Sequence, residues 1–167
     1  MFALLVIALI FYVIAKVGLW FEDKGDEEIR TSNTTTIGTI IKTGSWKGSY
    51  AIAEYWVNGK RYERKAGAPS SYIYTGEHYI IMYQADKPFN SLLDFTRQVF
   101  LKDEVTDSTT GTIVYKDWAT VEFNYNVNGR AFRRWQKYPE GKKLSKGETY
   151  TVEYLVDNPN VSILKIY

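Results

Sequence analysis

The chain offers few side chains that do chemistry, and their spacing restricts what that chemistry could be. His78 is the only histidine and there is no cysteine. A thiolate nucleophile, a disulfide and a thiolate zinc site are therefore excluded, and one imidazole supplies too few ligands for a histidine metal centre. A Ser/His/Asp triad would have to use His78, which sits inside a strand-like run without a sequence-local partner and reads as a surface strand residue. Asp86 and Asp157 could form a glycosidase carboxylate pair, but each falls in the same Asp-x-Pro turn of a repeated block, where turn capping explains it. No Walker phosphate loop, dinucleotide-binding glycine motif or EF-hand loop occurs. No catalytic, cofactor or metal residue is assigned, and a small-molecule ligand cannot be named.

Binding chemistry is better represented. In "RAFRRWQK", Arg130, Arg133, Arg134 and Lys137 interleave with Phe132 and Trp135. Basic and aromatic residues alternating on small β-barrels can hold single-stranded nucleic acid. Here Glu54 and Glu63 dilute the matching stretch of the first copy, and the net charge is only +2. Anionic lipid or an acidic protein fits better than nucleic acid. Arg64 and Arg134 are the one such feature written twice. A guanidinium there either caps its own barrel or presents a planar fork to an anionic group on a partner.

The elements that carry these residues are duplicated. "GEHYIIMYQADKPFNSLL" from Gly76 and "GETYTVEYLVDNPNVSIL" from Gly147 agree at eight of eighteen positions. "GTII" at Gly38 answers "GTIV" at Gly111, and "YWVNGKRYER" at Tyr55 answers "YNVNGRAFRR" at Tyr125. Three collinear blocks at offsets of 73, 70 and 71 residues define two copies of one unit.

Each unit reads as strands. Asn58-Gly59 and Asn128-Gly129 are two-residue hairpin turns, since a type I′ turn needs positive φ at both positions. The turn sets the register: Tyr55 faces Tyr62 and Ala53 faces Arg64, while Tyr125 faces Phe132 and Phe123 faces Arg134. The aromatic pairs are the expected core anchors. Asp86 with Pro88, and Asp157 with Pro159, end the next strand, and a short last strand begins at Ser91 and Ser162. "LDFTRQVFLKDE" between the units is expected to hold a short helical turn.

The aromatic content of 16% and hydrophobic content of 45% suit a β-rich core. The expected fold is mainly β: two tandem five-stranded β-barrel or sandwich repeats, over 37–95 and 109–167, joined by a connector at 96–108. Ahead of them, residues 1–21 form an apolar run interrupted only by Lys16, long enough to cross a bilayer through residues 2–21. Residues 22–36 read as a linker. Lys24 and Arg30 favour a cytoplasmic domain, whereas "EDKGDEE" opposes it, so the side of the membrane stays open.

At these motifs the chain resembles a family of uncharacterised bacterial membrane-anchored proteins. The shared pattern is a G-x-I/V strand, Y-x-V-N-G-K/R-x-Y/F, and G-x-x-Y-x-V-x-Y-x-x-x-x-P-x-x-S, and it covers 37–95 and 109–167. The resemblance implies a fold rather than an activity. The expected role is that of a non-enzymatic single-pass protein of the bacterial cell membrane, an accessory subunit of an envelope complex that binds a membrane or envelope protein. An immunity protein masking a toxin is the nearest alternative, with a glycan hydrolase or a nucleic-acid-binding barrel further off.

Overall fold

The computed structural model describes residues 26–166 apart from 33, 46, 47, 70, 71 and 140. The apolar run expected to span the bilayer lies outside these residues. Among the described residues no helix is long and apolar enough to cross a membrane.

Ten strands form two five-stranded antiparallel sheets with the same topology. The first contains β1 (Thr35–Ser45), β2 (Ser49–Val57), β3 (Lys60–Gly67), β4 (His78–Gln84) and β5 (Lys87–Val99), in the order β3-β2-β1-β4-β5. The second contains β6 (Thr106–Lys116), β7 (Thr120–Val127), β8 (Arg130–Lys137), β9 (Thr149–Leu155) and β10 (Ser162–Leu164). Its order, β10-β9-β6-β7-β8, is the same arrangement read from the other edge. Each sheet curls into a half-barrel, bringing β3 toward β5 and β8 toward β10. The duplication visible in the sequence is thus two copies of one strand arrangement.

The hairpin chemistry explains the register. Asn58 and Gly59 adopt φ of 50° and 76°, and Asn128 and Gly129 adopt 51° and 80°. Tyr55 then pairs with Tyr62 and Ala53 with Arg64, while Tyr125 pairs with Phe132 and Phe123 with Arg134. The Tyr55–Tyr62 rings stack at 5.6 Å and the Tyr125–Phe132 rings at 5.4 Å. Both first strands also carry a bulge at the same place, between Ile40 and Lys42 and between Ile113 and Tyr115. A bulge deepens the local twist, which helps each sheet curl around its own core.

Each core fills the concave side of its sheet. Ile40, Ala53, Tyr55, Tyr79, Ile81 and Phe95 are buried in the first, and Ile113, Phe123, Tyr125, Val152 and Leu164 in the second. The buried tyrosines tie the hairpin to the far turn. The Tyr55 hydroxyl donates to the Pro88 carbonyl at 2.6 Å, and the Tyr125 hydroxyl donates to that of Pro159.

Three expectations are corrected. Part of the 22–36 segment is not free linker: residues 26–31 form a short helix, and Ile29 packs against Met82 and Leu92. The Ser32 hydroxyl donates to the Tyr83 carbonyl at 2.9 Å, and β1 begins at Thr35. The apolar Ile29 finds an apolar patch on the sheet, which the polar composition around it obscured. Residues through Val99 are strand rather than helical turn, because Leu93 and Phe95 alternate into the core and Phe95 meets Tyr79 edge-on at 5.3 Å. The last strand of the first repeat begins at Lys87 rather than Ser91, so Pro88, which does follow the end of β4 at Gln84, lies inside β5. β5 is an edge strand, where a missing N–H costs no ladder bond.

Gly38 shows how closely the strands approach. A Cβ at this position would stand 2.6 Å from Cγ1 of the buried Ile81. Overpacking of this kind costs about 1–3 kcal/mol. Gly38→Val should lower the unfolding free energy by about that amount, and adding Ile81→Ala should recover part of the loss. Denaturant titration of the two variants measures both.

Candidate functional site

Two places bring polar or aromatic side chains together. One lies between the repeats and the other on the outer face of the second sheet.

Between the repeats sits Arg134. It is carried by β8 opposite Phe123, and the curl of the sheet turns it toward the first repeat. Only 1% of its side chain is exposed. Its Nε donates to the Ser162 carbonyl at 3.2 Å, within its own repeat. Its remaining donors cross over. Nη1 reaches the Tyr72 carbonyl at 2.6 Å and the Glu77 carboxylate at 2.6 Å, and Nη2 reaches Gln98 Oε1 at 3.1 Å. The guanidinium also lies 5.4 Å from the centre of the Tyr74 ring.

Glu77 is fully buried, and its second oxygen accepts the Tyr79 hydroxyl at 2.7 Å. Burial works against the charge on Arg134, but Glu77 outweighs it and holds the guanidinium above its ordinary value. Burial and then the Glu77 carboxylate push the Tyr79 phenol well above its own ordinary value, so it stays a donor. The charge on Arg134 is met by the Glu77 carboxylate and its donors by three further acceptors, as a buried charge requires. This ion pair bolts the second repeat to the first, so the Arg134 fork is already occupied within the chain.

The outer surface is built on the other side of β8. Arg133, Trp135 and Lys137 alternate with the buried Phe132 and Arg134, so they face outward. Arg133 pairs with the buried Glu122. Trp135 packs against Tyr115, ring centres 5.3 Å apart. Arg130, at the hairpin tip, lies 5.2 Å from the Phe132 ring centre.

Beside Trp135, the turn between β6 and β7 displays Trp118 at 90% exposure. The turn is fixed by Asp117. Its carboxylate accepts the N–H groups of Ala119 at 2.8 Å and Thr120 at 2.6 Å, and the Thr120 hydroxyl at 2.8 Å. A hollow of about 350 Å³ opens between Trp118, Trp135 and Lys137, with Pro69 of the first repeat at its edge.

The candidate residues therefore divide. Arg133, Trp135 and Lys137 share one outer face, Arg130 caps the hairpin, Arg134 is locked inside, and Arg64 stays half-buried on β3. Asp86 and Asp157 are both exposed in the turns of separate repeats. His78 is buried rather than at the surface: its Nδ1 lies 2.9 Å from the Thr39 hydroxyl and its Nε2 3.1 Å from Glu104. Glu104 also accepts the Leu101 N–H at 2.6 Å, so this cluster fastens the connector after β5 to the first sheet. Among the described residues no group of three or more His, Asp or Glu is placed to hold a metal ion. Sequence reasoning missed Glu77 and Trp118. The repeated Glu-x-Tyr at Glu77–Tyr79 and Glu148–Tyr150 was a usable signal for the first.

The chain matches no known family model, and no curated protein is significantly similar to it.

Removing one partner of a buried ion pair typically costs about 3–5 kcal/mol, because the other charge is left uncompensated. Arg134→Met should therefore lower the unfolding free energy by about 3–5 kcal/mol. Arg64→Met, on the half-buried equivalent, should cost less than a third of that. Chemical denaturation of both variants gives the comparison.

Proposed function

We propose that this chain is a non-enzymatic binding protein, held in a bacterial membrane by residues 2–21, whose paired β repeats capture an acidic segment of an envelope protein. The observation that carries this reading is Trp118, 90% exposed beside Trp135 and Lys137 over a hollow of about 350 Å³. An exposed Trp on a turn held by Asp117 and adjoining a second Trp suits an interface, where Trp anchors contribute disproportionately. Lys137 and the exposed Lys116 set the sign of the partner. Arg133 contributes less, since Glu122 already pairs with it. The buried Arg134 ion pair supports the same reading, because a binding face spanning Pro69 and β8 needs the two repeats held still. The motif resemblance to membrane-anchored bacterial β proteins agrees with it.

The test uses the full chain in a mild detergent and a fluorescent peptide alternating Glu and Leu, with a Lys/Leu peptide as control. The acidic peptide should bind and the basic one should not. Trp118→Ala and Lys137→Glu should each weaken binding at least tenfold at unchanged melting temperature. Trp56→Ala, on the exposed outer face of the first sheet, should leave it unchanged. Equal binding by both peptides, or full binding by the Trp118 variant, would sink the reading.

A further inference from the structure

Each repeat carries both halves of the Arg134 lock: an arginine on the second hairpin arm and a Glu-x-Tyr at the start of the fourth strand. Only one pairing is made within the chain. Arg134 of the second repeat takes Glu77 and Tyr79 of the first. Arg64 of the first repeat and Glu148 of the second are left over.

Both leftovers are built for the contact. Arg64 holds the place of Arg134 in the ladder, opposite Ala53 as Arg134 is opposite Phe123. Its Nε is shut off from water and has no hydrogen-bond partner among the described residues. The matching Nε of Arg134 is met within its own repeat by the Ser162 carbonyl, whereas Arg64 lacks that anchor, so its guanidinium is under-compensated, and its Nη groups are the ones that would cross to an outside acceptor, as those of Arg134 do.

On the other repeat, the backbone around Glu148 copies that around Glu77. Ile40 N–H donates to the Glu77 carbonyl at 2.8 Å, and Ile113 N–H to that of Glu148 at 2.9 Å. Gly76 N–H reaches Ile40 and Gly147 N–H reaches Ile113, both at 2.8 Å. The Tyr150 hydroxyl donates to Glu148 at 2.9 Å, as Tyr79 does to Glu77. The Ser145 N–H donates as well, at 2.9 Å. These donors hold the Glu148 carboxyl below its usual range, and the side chain is exposed. Tyr79 is buried in the first core with Arg134 of the second repeat beside it, whereas Tyr150 is only partly covered.

We propose that this chain associates head to tail with a second copy of itself, Arg64 of one molecule seating on Glu148 and Tyr150 of the next as Arg134 seats on Glu77 and Tyr79. The occupant is another copy because the chain already contains the contact once, and the two unmatched faces are its complementary halves. Such an interface is heterologous, so it closes into a ring if the rotation allows and otherwise extends as an open chain. It is weaker than the internal one. Lys143 and Ser145 stand where Tyr72 and Tyr74 stand, so the ring over the guanidinium is lost, and Lys116 already lies near the carboxylate. An exposed pair of this kind is screened by salt, so the association is reversible and salt-sensitive. It shares only Lys116 with the peptide-binding face, and self-association read by sedimentation is distinct from peptide binding, so the two readings can fail separately.

The experiment is sedimentation of the full chain in a mild detergent at low salt. The wild type should give species above the monomer that grow with concentration and recede on adding salt. Arg64→Glu and Glu148→Arg should each stay monomeric at concentrations at least tenfold above those at which the wild type associates. Mixing the two variants should restore association, because the Arg64→Glu molecule keeps Glu148 and the Glu148→Arg molecule keeps Arg64. Glu148 is exposed, so Glu148→Arg loses only the Ser145 and Tyr150 hydrogen bonds, should stay folded with a modestly lowered melting temperature, and decides the matter even if Arg64→Glu folds poorly. A wild type that stays monomeric throughout, a Glu148→Arg variant that associates like the wild type, or a mixture that stays monomeric would overturn the proposal.

Discussion

A guanidinium at 1% exposure has to be compensated, and the relation between the two repeats follows from how Arg134 is compensated. Its own repeat supplies one acceptor, the Ser162 carbonyl. The first repeat supplies the Tyr72 carbonyl, Gln98 and Glu77, with Tyr74 alongside. Because the fork is planar and its donors point in set directions, these acceptors are met together in only one relation of the repeats. A Lys at the same position would supply the charge without the directions. The ion pair thus selects an arrangement, and the gain in free energy is secondary to that selection.

Duplication gave both repeats the same parts, and position along the chain gave those parts different work. Tyr55 and Tyr125 do the same job in each copy, donating to the carbonyl of the equivalent proline. The Arg and Glu-x-Tyr parts do not. One of each is consumed inside the molecule, and its twin, Arg64 or Glu148, makes no such contact within the chain. The outer strand faces diverged further: in the first repeat Arg61 pairs with Glu54 and Glu63, while in the second Trp135 rests on Tyr115 beside Trp118 and Lys137.

The strands and their register were legible because they rest on local rules. Asn-Gly demands a tight turn, the turn dictates which residues face each other, and Tyr55 with Tyr62 follows. Gly38 and Gly111 recurring at the same place marked strand crossings where a Cβ does not fit. The site was only half legible. Alternation along β8 placed Trp135 and Lys137 on one face, but it says nothing of which repeat covers Arg134. That depends on Glu77, 57 residues earlier in the chain, and on how two curled sheets meet. His78 was misplaced for a related reason: its partners Thr39 and Glu104 come from a different strand and from the connector, and nothing local to His78 announces them. The docked helix at 26–31 hid behind charged neighbours, since a single apolar residue, Ile29, makes the contact.

The central claim is that Arg134 and Glu77 act as one unit joining the repeats. A double-mutant cycle with Arg134→Met, Glu77→Gln and the combined variant, each unfolded in denaturant, tests it most directly. Each single change strands a buried partner, so the combined variant should be far less damaged than the sum of the two. The account predicts a coupling of about 2 kcal/mol or more, at the upper end for directly contacting buried residues. Losses that simply add, leaving a coupling within about 0.5 kcal/mol of zero, would contradict it.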